Sequence, residues 1–217
     1  MTLLLRRPEG RGLRLLALGA HSDDIEIGCG GTVLRWIEES PGIEVGWVVA
    51  CAAGARGEEA KASAGTFLAG AARRELRIES FRDGFLPYVG GPVKDFFERL
   101  KTEFDPDVIL THRRDDLHQD HRLISELTWN TWRGQLILEY EVPKWDGDFG
   151  SPNTYVHLPD RLARRKVEAL MKHFGTQRSK QWFDEETFFS VMRLRGVESR
   201  APERYAEGFW GRKLIVG

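Results

Sequence analysis

The sequence is short of the residues that mark several classes of protein. It has only two cysteines, Cys29 and Cys51. That excludes a disulfide framework and leads us to expect free thiols in the cytoplasm. It lacks a long hydrophobic run: the longest, near "VGWVVACAAGA", falls well short of the ~20 residues a membrane span needs. The Leu3 to Leu5 stretch before two arginines is too short for a secretion-signal core. It lacks an excess of either charge, with 32 Lys and Arg against 33 Asp and Glu. A nucleic-acid partner, which calls for a strongly basic balance, is therefore not expected. No repeat or low-complexity segment is present. With 41% hydrophobic and 30% charged residues in 217, the composition is globular, and we expect a single domain over residues 1–217.

What is present is an alternation of short aliphatic runs with longer helical patterns. Strands are expected at 13–20, 43–51, 77–81, 107–112 and 135–143. Helices are expected at 30–40, 58–76, 93–104, 122–133 and 159–175, the last with Pro159 and Asp160 at its start and Gly175 just past its end. Continuous apolar strands separated by helices predict an α/β fold, Rossmann-like, with a mostly parallel sheet and helices on both faces. In such sheets ligands bind outside the carboxyl ends of the strands.

That rule gives two clusters of polar residues a place. "AHSDDIEIGCGG" puts His21, Asp23 and Asp24 directly after the first strand. "THRRDDLHQDHR" puts His118, Asp120 and His121 after the strand at 107–112. Both clusters should share one edge of the sheet. Adjacent carboxylates repel unless a cation or proton relieves them. Two imidazoles and a carboxylate form a ligand set for catalytic zinc, and the surplus groups can serve as base and oxyanion donor. The glycines of "GCGG" lack the spacing of a phosphate loop and suit close helix–sheet packing. His112, His157 and His173 read as structural or surface residues, with His112 the nearest to the active edge.

The paired motifs "AHSDDIEIGCGGT" and "HQDHR" resemble the LmbE/PIG-L family of zinc-dependent N-acetylglucosaminyl deacetylases, over roughly residues 13–135. The resemblance implies that His21, Asp24 and His121 bind Zn2+ or another divalent transition metal. Asp23 would be the general base. His118 would stabilise the tetrahedral intermediate, with Asp120 beside it influencing its charge. "ARGE" offers Arg56 and "RDGFL" offers Asp83 as substrate-binding residues. Ser22 stands where the family has proline, which puts substrate identity in question.

The function so implied is metal-dependent removal of the N-acetyl group from an amino sugar or sugar conjugate. The nearest alternative is a zinc amidase acting on a non-sugar amide or thiol conjugate. A metal-binding module without catalysis is disfavoured by Asp23, and a nucleotide-binding Rossmann protein by the missing glycine fingerprint. The expected partner is a small-molecule N-acetyl sugar or glycoconjugate, with no membrane partner. Tyr140, Trp145 and Phe149 are candidates for stacking on a sugar or for the core. The aromatic and arginine-rich C-terminal third could cover the core, shape the substrate site or support a homo-oligomer. If His118 donates to an oxyanion, it is expected to work protonated, which Asp120 would favour.

Overall fold

A computed structural model describes residues 10–214; the Leu3 to Leu5 stretch lies outside them. In chain order the main elements are β1 (Arg14–His21), α1 (Asp24–Glu39), β2 (Glu44–Cys51), α2 (Ala55–Phe67), β3 (Arg73–Ile78), α3 (Gly90–Glu103), β4 (Val108–His112) and α4 (Gln119–Thr131). They continue with β5 (Leu136–Tyr140), β6 (Thr154–Leu158), α5 (Asp160–His173), α6 (Glu185–Glu198) and β7 (Tyr205–Gly211). The strands form one seven-stranded sheet in the order β3-β2-β1-β4-β5-β7-β6. The first five are mutually parallel, and β7 runs antiparallel to both β5 and β6.

β1, β2 and β4 are almost wholly buried because both sheet faces are covered, which is why they read as unbroken aliphatic runs. One face packs Leu15, Trp47, Phe67 and Leu170 among others; the opposite face packs Leu16, Phe97, Ile109 and Trp132. The chain runs outward from β1 through β2 to β3, then returns to the other side of β1 with β4. This reversal leaves a crevice at the carboxyl ends of β1 and β4, where ligands bind in open α/β sheets.

Three expectations shift. The helix expected at 30–40 starts six residues earlier, at Asp24. The Asp23 carbonyl accepts from Ile27 N–H at 3.0 Å, and Asp24 and Glu26 lie in the first turn, where carboxylates favour a helix start. "GCGG" therefore lies inside α1. An added Cβ on Gly28 would come within 2.1 Å of the Tyr140 ring, and one on Gly30 within 2.6 Å of Phe67. These glycines let α1 approach its neighbours, as expected from the sequence. The Ala-rich helix ends at Phe67, because Gly70 has φ +104°, a left-handed backbone that breaks the helix; β3 follows from Arg73. The C-terminal third supplies β6, α6 and β7, which periodicity did not define.

Candidate metal centre

His21 is the last residue of β1 and His112 the last of β4. His118 caps α4, its Nδ1 accepting from Asp120 N–H at 3.3 Å, and His121 lies in that helix's first turn. The two motif clusters, almost a hundred residues apart, thus meet on one edge of the sheet. His21 Nδ1 lies 3.1 Å from His121 Nε2 and 3.2 Å from Asp24 Oδ2, and His121 Nε2 lies 3.4 Å from Asp24 Oδ2. Ligands held at 2.0–2.1 Å around a tetrahedral ion stand about 3.3 Å apart, so this triangle has the size of one face of such a tetrahedron. His118 also reaches the cluster: His21, His118 and His121 have ligand atoms within 4.8 Å of one another.

The far side of each imidazole is held by a carboxylate, the arrangement that fixes ring orientation in metal sites. His121 Nδ1 meets Asp116 Oδ2 at 3.0 Å. His21 Nε2 meets Asp120 Oδ2 at 3.2 Å and Asp83 Oδ1 at 3.1 Å. Asp116 also accepts from His118 N–H at 2.8 Å and pairs with Lys144 Nζ at 3.0 Å. Asp120 accepts from Gly84 N–H at 2.6 Å and Leu86 N–H at 3.1 Å. Its direct bonds therefore brace His21 and the 83–86 loop, while its charge reaches His118 through space.

Asp23 and Asp24 are both buried yet differ in electrostatics. Burial favours protonation of Asp24, but the charges of His121, His21 and His112 outweigh it and hold the carboxyl well below its ordinary range. Asp23 is pushed up by burial and by the Asp24 charge, and its Oδ2 is buried without a hydrogen-bond partner. One carboxylate suits a ligand. The other is poised as a base with a free oxygen.

For His118, burial and the charges of His121 and His21 lower the pKa, outweighing Asp120. The expectation that it works protonated is revised: the neutral ring, with Nδ1 accepting, presents Nε2–H as donor. Asp83 is half exposed and bridges His21 to Arg56, whose Nη1 donates to Asp83 Oδ2 at 2.6 Å. The buried Ser22 hydroxyl lies 3.4 Å from Arg56 Nε, so the residue that departs from the family proline faces the candidate substrate arginine. Tyr140 belongs to the core, its hydroxyl donating to the Leu18 carbonyl at 2.6 Å. Trp145 and Phe149 are exposed on the loop after β5. Both cysteines are buried, and burial pushes the Cys51 thiol up to about 12, which makes it a poor nucleophile.

Three residues were missed or undervalued in the sequence. Asp116 and Lys144 carry the support of His121. His112 is fully buried, stacks on His121 at 3.8 Å and lies 3.2 Å from Asp24 Oδ2. Burial, then the His121 charge, lower its pKa to about 4, so it is neutral at ordinary pH. Asp116 sits inside the same strand-end segment as His118 and His121, and that position was the available signal.

Fold and site together define an α/β protein with a histidine–aspartate centre at the carboxyl edge of its sheet, suited to hold one metal ion beside a buried carboxylate. A family model described as PIG-L, GlcNAc-PI de-N-acetylase, matches residues 16–132, more than half of the 217, and the chain belongs to this family.

Solved structures share the fold. The conserved protein TT1542 from Thermus thermophilus matches with TM-score 0.70 and 21% identity, covering 94% of this chain and 97% of that one. N,N'-diacetylchitobiose deacetylase from Pyrococcus horikoshii matches with TM-score 0.69 and 22% identity, covering 91% and 83%. GalB, the 4-carboxy-2-hydroxymuconate hydratase from Pseudomonas putida, matches with TM-score 0.76 and 18% identity, covering 94% and 98%. A deacetylase and a hydratase on one fold show that the fold alone does not choose the reaction.

Proposed function

We propose that the protein is a metal-dependent hydrolase that removes the N-acetyl group from an N-acetylated amino sugar or sugar conjugate. The observation that carries this reading is the triangle of His21 Nδ1, Asp24 Oδ2 and His121 Nε2, with edges of 3.1–3.4 Å, beside a buried Asp23 with an unpartnered oxygen. Membership of the PIG-L family supports amide hydrolysis over hydration. His21, Asp24 and His121 would hold the ion, and nitrogen and carboxylate donors suit zinc. When bound, such an ion lowers the pKa of water and polarises a carbonyl.

The chain's own groups do the rest. Asp23 takes a proton from the attacking water and returns it to the departing nitrogen, which leaves poorly as an anion. His118 donates Nε2–H to the oxygen on which negative charge develops. Asp116 and Asp120 keep the two ligand imidazoles oriented. Arg56, paired with Asp83 at the rim, is placed to meet the substrate's polar groups. Among the described residues no helix is long and apolar enough to cross a membrane. The two free cysteines fit a cytoplasmic setting.

The test is incubation with N-acetylated sugars, nucleotide sugars and glycoconjugates, following acetate and free amine together. Equal release of both is expected. Conversion without acetate would instead indicate hydration. Asp24→Ala should lose the metal, measured by elemental analysis. Asp23→Ala should keep it and lose turnover by at least about a hundredfold. The reverse pattern would exchange the two roles.

A further inference from the structure

The family match ends at residue 132, and the segments beyond it place three unassigned side chains next to the centre. Trp145 is 69% exposed, on the loop after β5. Its ring lies 6.3 Å from that of Trp182, edge to face, and Lys180 Nζ lies 5.1 Å over the Trp182 ring. Among the described residues no carboxylate lies within ion-pair distance of Lys180, whereas Arg56, the cation on the other flank of Asp23, is already paired with Asp83. Lys180 acts on the catalytic edge: its charge pulls on Asp23 ahead of those of His21 and Arg56.

Both supports of this rim are braced. The loop at 141–150 is tied down by Lys144, which bonds Asp116 and Asp148, and by Arg195, which forks onto Glu141 at 2.6 and 2.7 Å and bonds the Gly150 carbonyl at 3.0 Å. The segment carrying Lys180 is pinned to α2, where Thr176 N–H donates to Glu59 at 2.8 Å, and Phe183 is buried against Phe174 and Phe188. Exposed aromatic faces held in place beside an unpaired ammonium favour a flat or cyclic group bearing negative charge, because little ordering is left for binding to impose.

We propose that Trp145, Trp182 and Lys180 form a subsite for the part of the substrate beyond the amino sugar, and that this part is a ring carrying an anionic group. The proposal rests on the deacetylase reading above and adds the substrate class. The amino sugar's acetamide lies at Asp23 and the metal ligands, the aglycone ring lies against the tryptophans, and its anion meets Lys180.

The experiment compares the methyl, phenyl, 4-carboxyphenyl and 4-phosphatophenyl glycosides of N-acetylglucosamine. Two readouts are used: kcat/KM from amine release, and Kd from tryptophan fluorescence in chelator-treated protein. Phenyl should exceed methyl, and an anionic ring should exceed phenyl by about fivefold, the scale of a partly exposed ion pair. Whichever anion gains more identifies carboxylate or phosphate as the natural group. Lys180→Met should cost the anionic glycosides about fivefold more than the phenyl glycoside. Trp145→Ala, at an exposed position, should narrow the gap between phenyl and methyl. A flat series in both readouts, or an anion preference that survives Lys180→Met, overturns the subsite. A Lys180-dependent binding gap with no amine release from any glycoside overturns the deacetylase reading and keeps the subsite. Amine release with a flat series does the opposite.

Discussion

At the scale of single residues, adjacent aspartates with the same side chain are given different tasks by their surroundings. Asp24 is surrounded by imidazoles and held ionised; Asp23 is desolvated and left with a free oxygen. Because the base must be ionised to accept a proton, turnover should fall as pH drops through the pKa of Asp23, at a pH above the ordinary carboxylate range. His118 is lowered, and its neutral form still donates through Nε2, so it should not set the basic limb of the profile. His118→Ala should therefore keep metal content, lose turnover by about a hundredfold, and leave the basic limb where it is in the wild type. A basic limb that moves with this substitution would restore the protonated imidazole as the working form. The motif residues could be read from sequence because strand ends in a parallel sheet converge. Asp116, Lys144 and His112 could not be ranked in that way. Their importance depends on distances between separate loops, such as the 3.0 Å between Lys144 and Asp116, and spacing along the chain does not encode these.

At the scale of elements, α1 governs the site because its first residue, Asp24, is a candidate ligand and its glycines set its depth in the fold. Gly28 faces the Tyr140 ring, which in turn packs 4.9 Å from His112. Gly28→Ala should gain up to about 1 kcal/mol in helix propensity. It should lose about 1–3 kcal/mol to overpacking. A lower urea midpoint with an unchanged m-value is the expected net result. The alternating strands and helices from β1 to β5 were legible because each strand is buried on both faces. β6 and β7 were not: β6 is mostly half-buried, and β7, "YAEGFWG", breaks its apolar pattern with Gly208 and a buried Glu207. The helix boundary at Phe67 was missed because the Ala-rich composition runs on past the left-handed Gly70 that ends it.

At the scale of the whole molecule, a buried ion pair ties the C-terminal strand to the first helix. Lys166 on α5 donates to Glu207 on β7 at 2.7 Å and to the Ile27 carbonyl at 2.6 Å. Glu207 accepts from the backbone of Gly31 and Thr32 at 2.9 and 2.7 Å. Removing one partner leaves the other buried without its counter-charge. Lys166→Met should therefore cost about 3–5 kcal/mol. For a chain of this size that corresponds to a fall in Tm of roughly 10 °C. Calorimetry measures it, and adding Glu207→Gln should recover part of the loss. A change within about 0.5 kcal/mol, as at an ordinary surface site, would show that the pair carries little of the tertiary stability.

The position of β7 also bears on how the chain is made. β6 touches the sheet only through β7, which is inserted between it and β5. During synthesis β6 is available about fifty residues before its only neighbour is, whereas His21, Asp24 and His121 and the five parallel strands are complete by Tyr140. The nascent chain can therefore assemble its metal centre while β5 still presents an open edge, and the last segment to leave the ribosome closes that edge. A ribosome stalled before residue 205 would hold an intermediate with the ligands in place and β5 unpaired on one side, an edge that invites pairing with another chain.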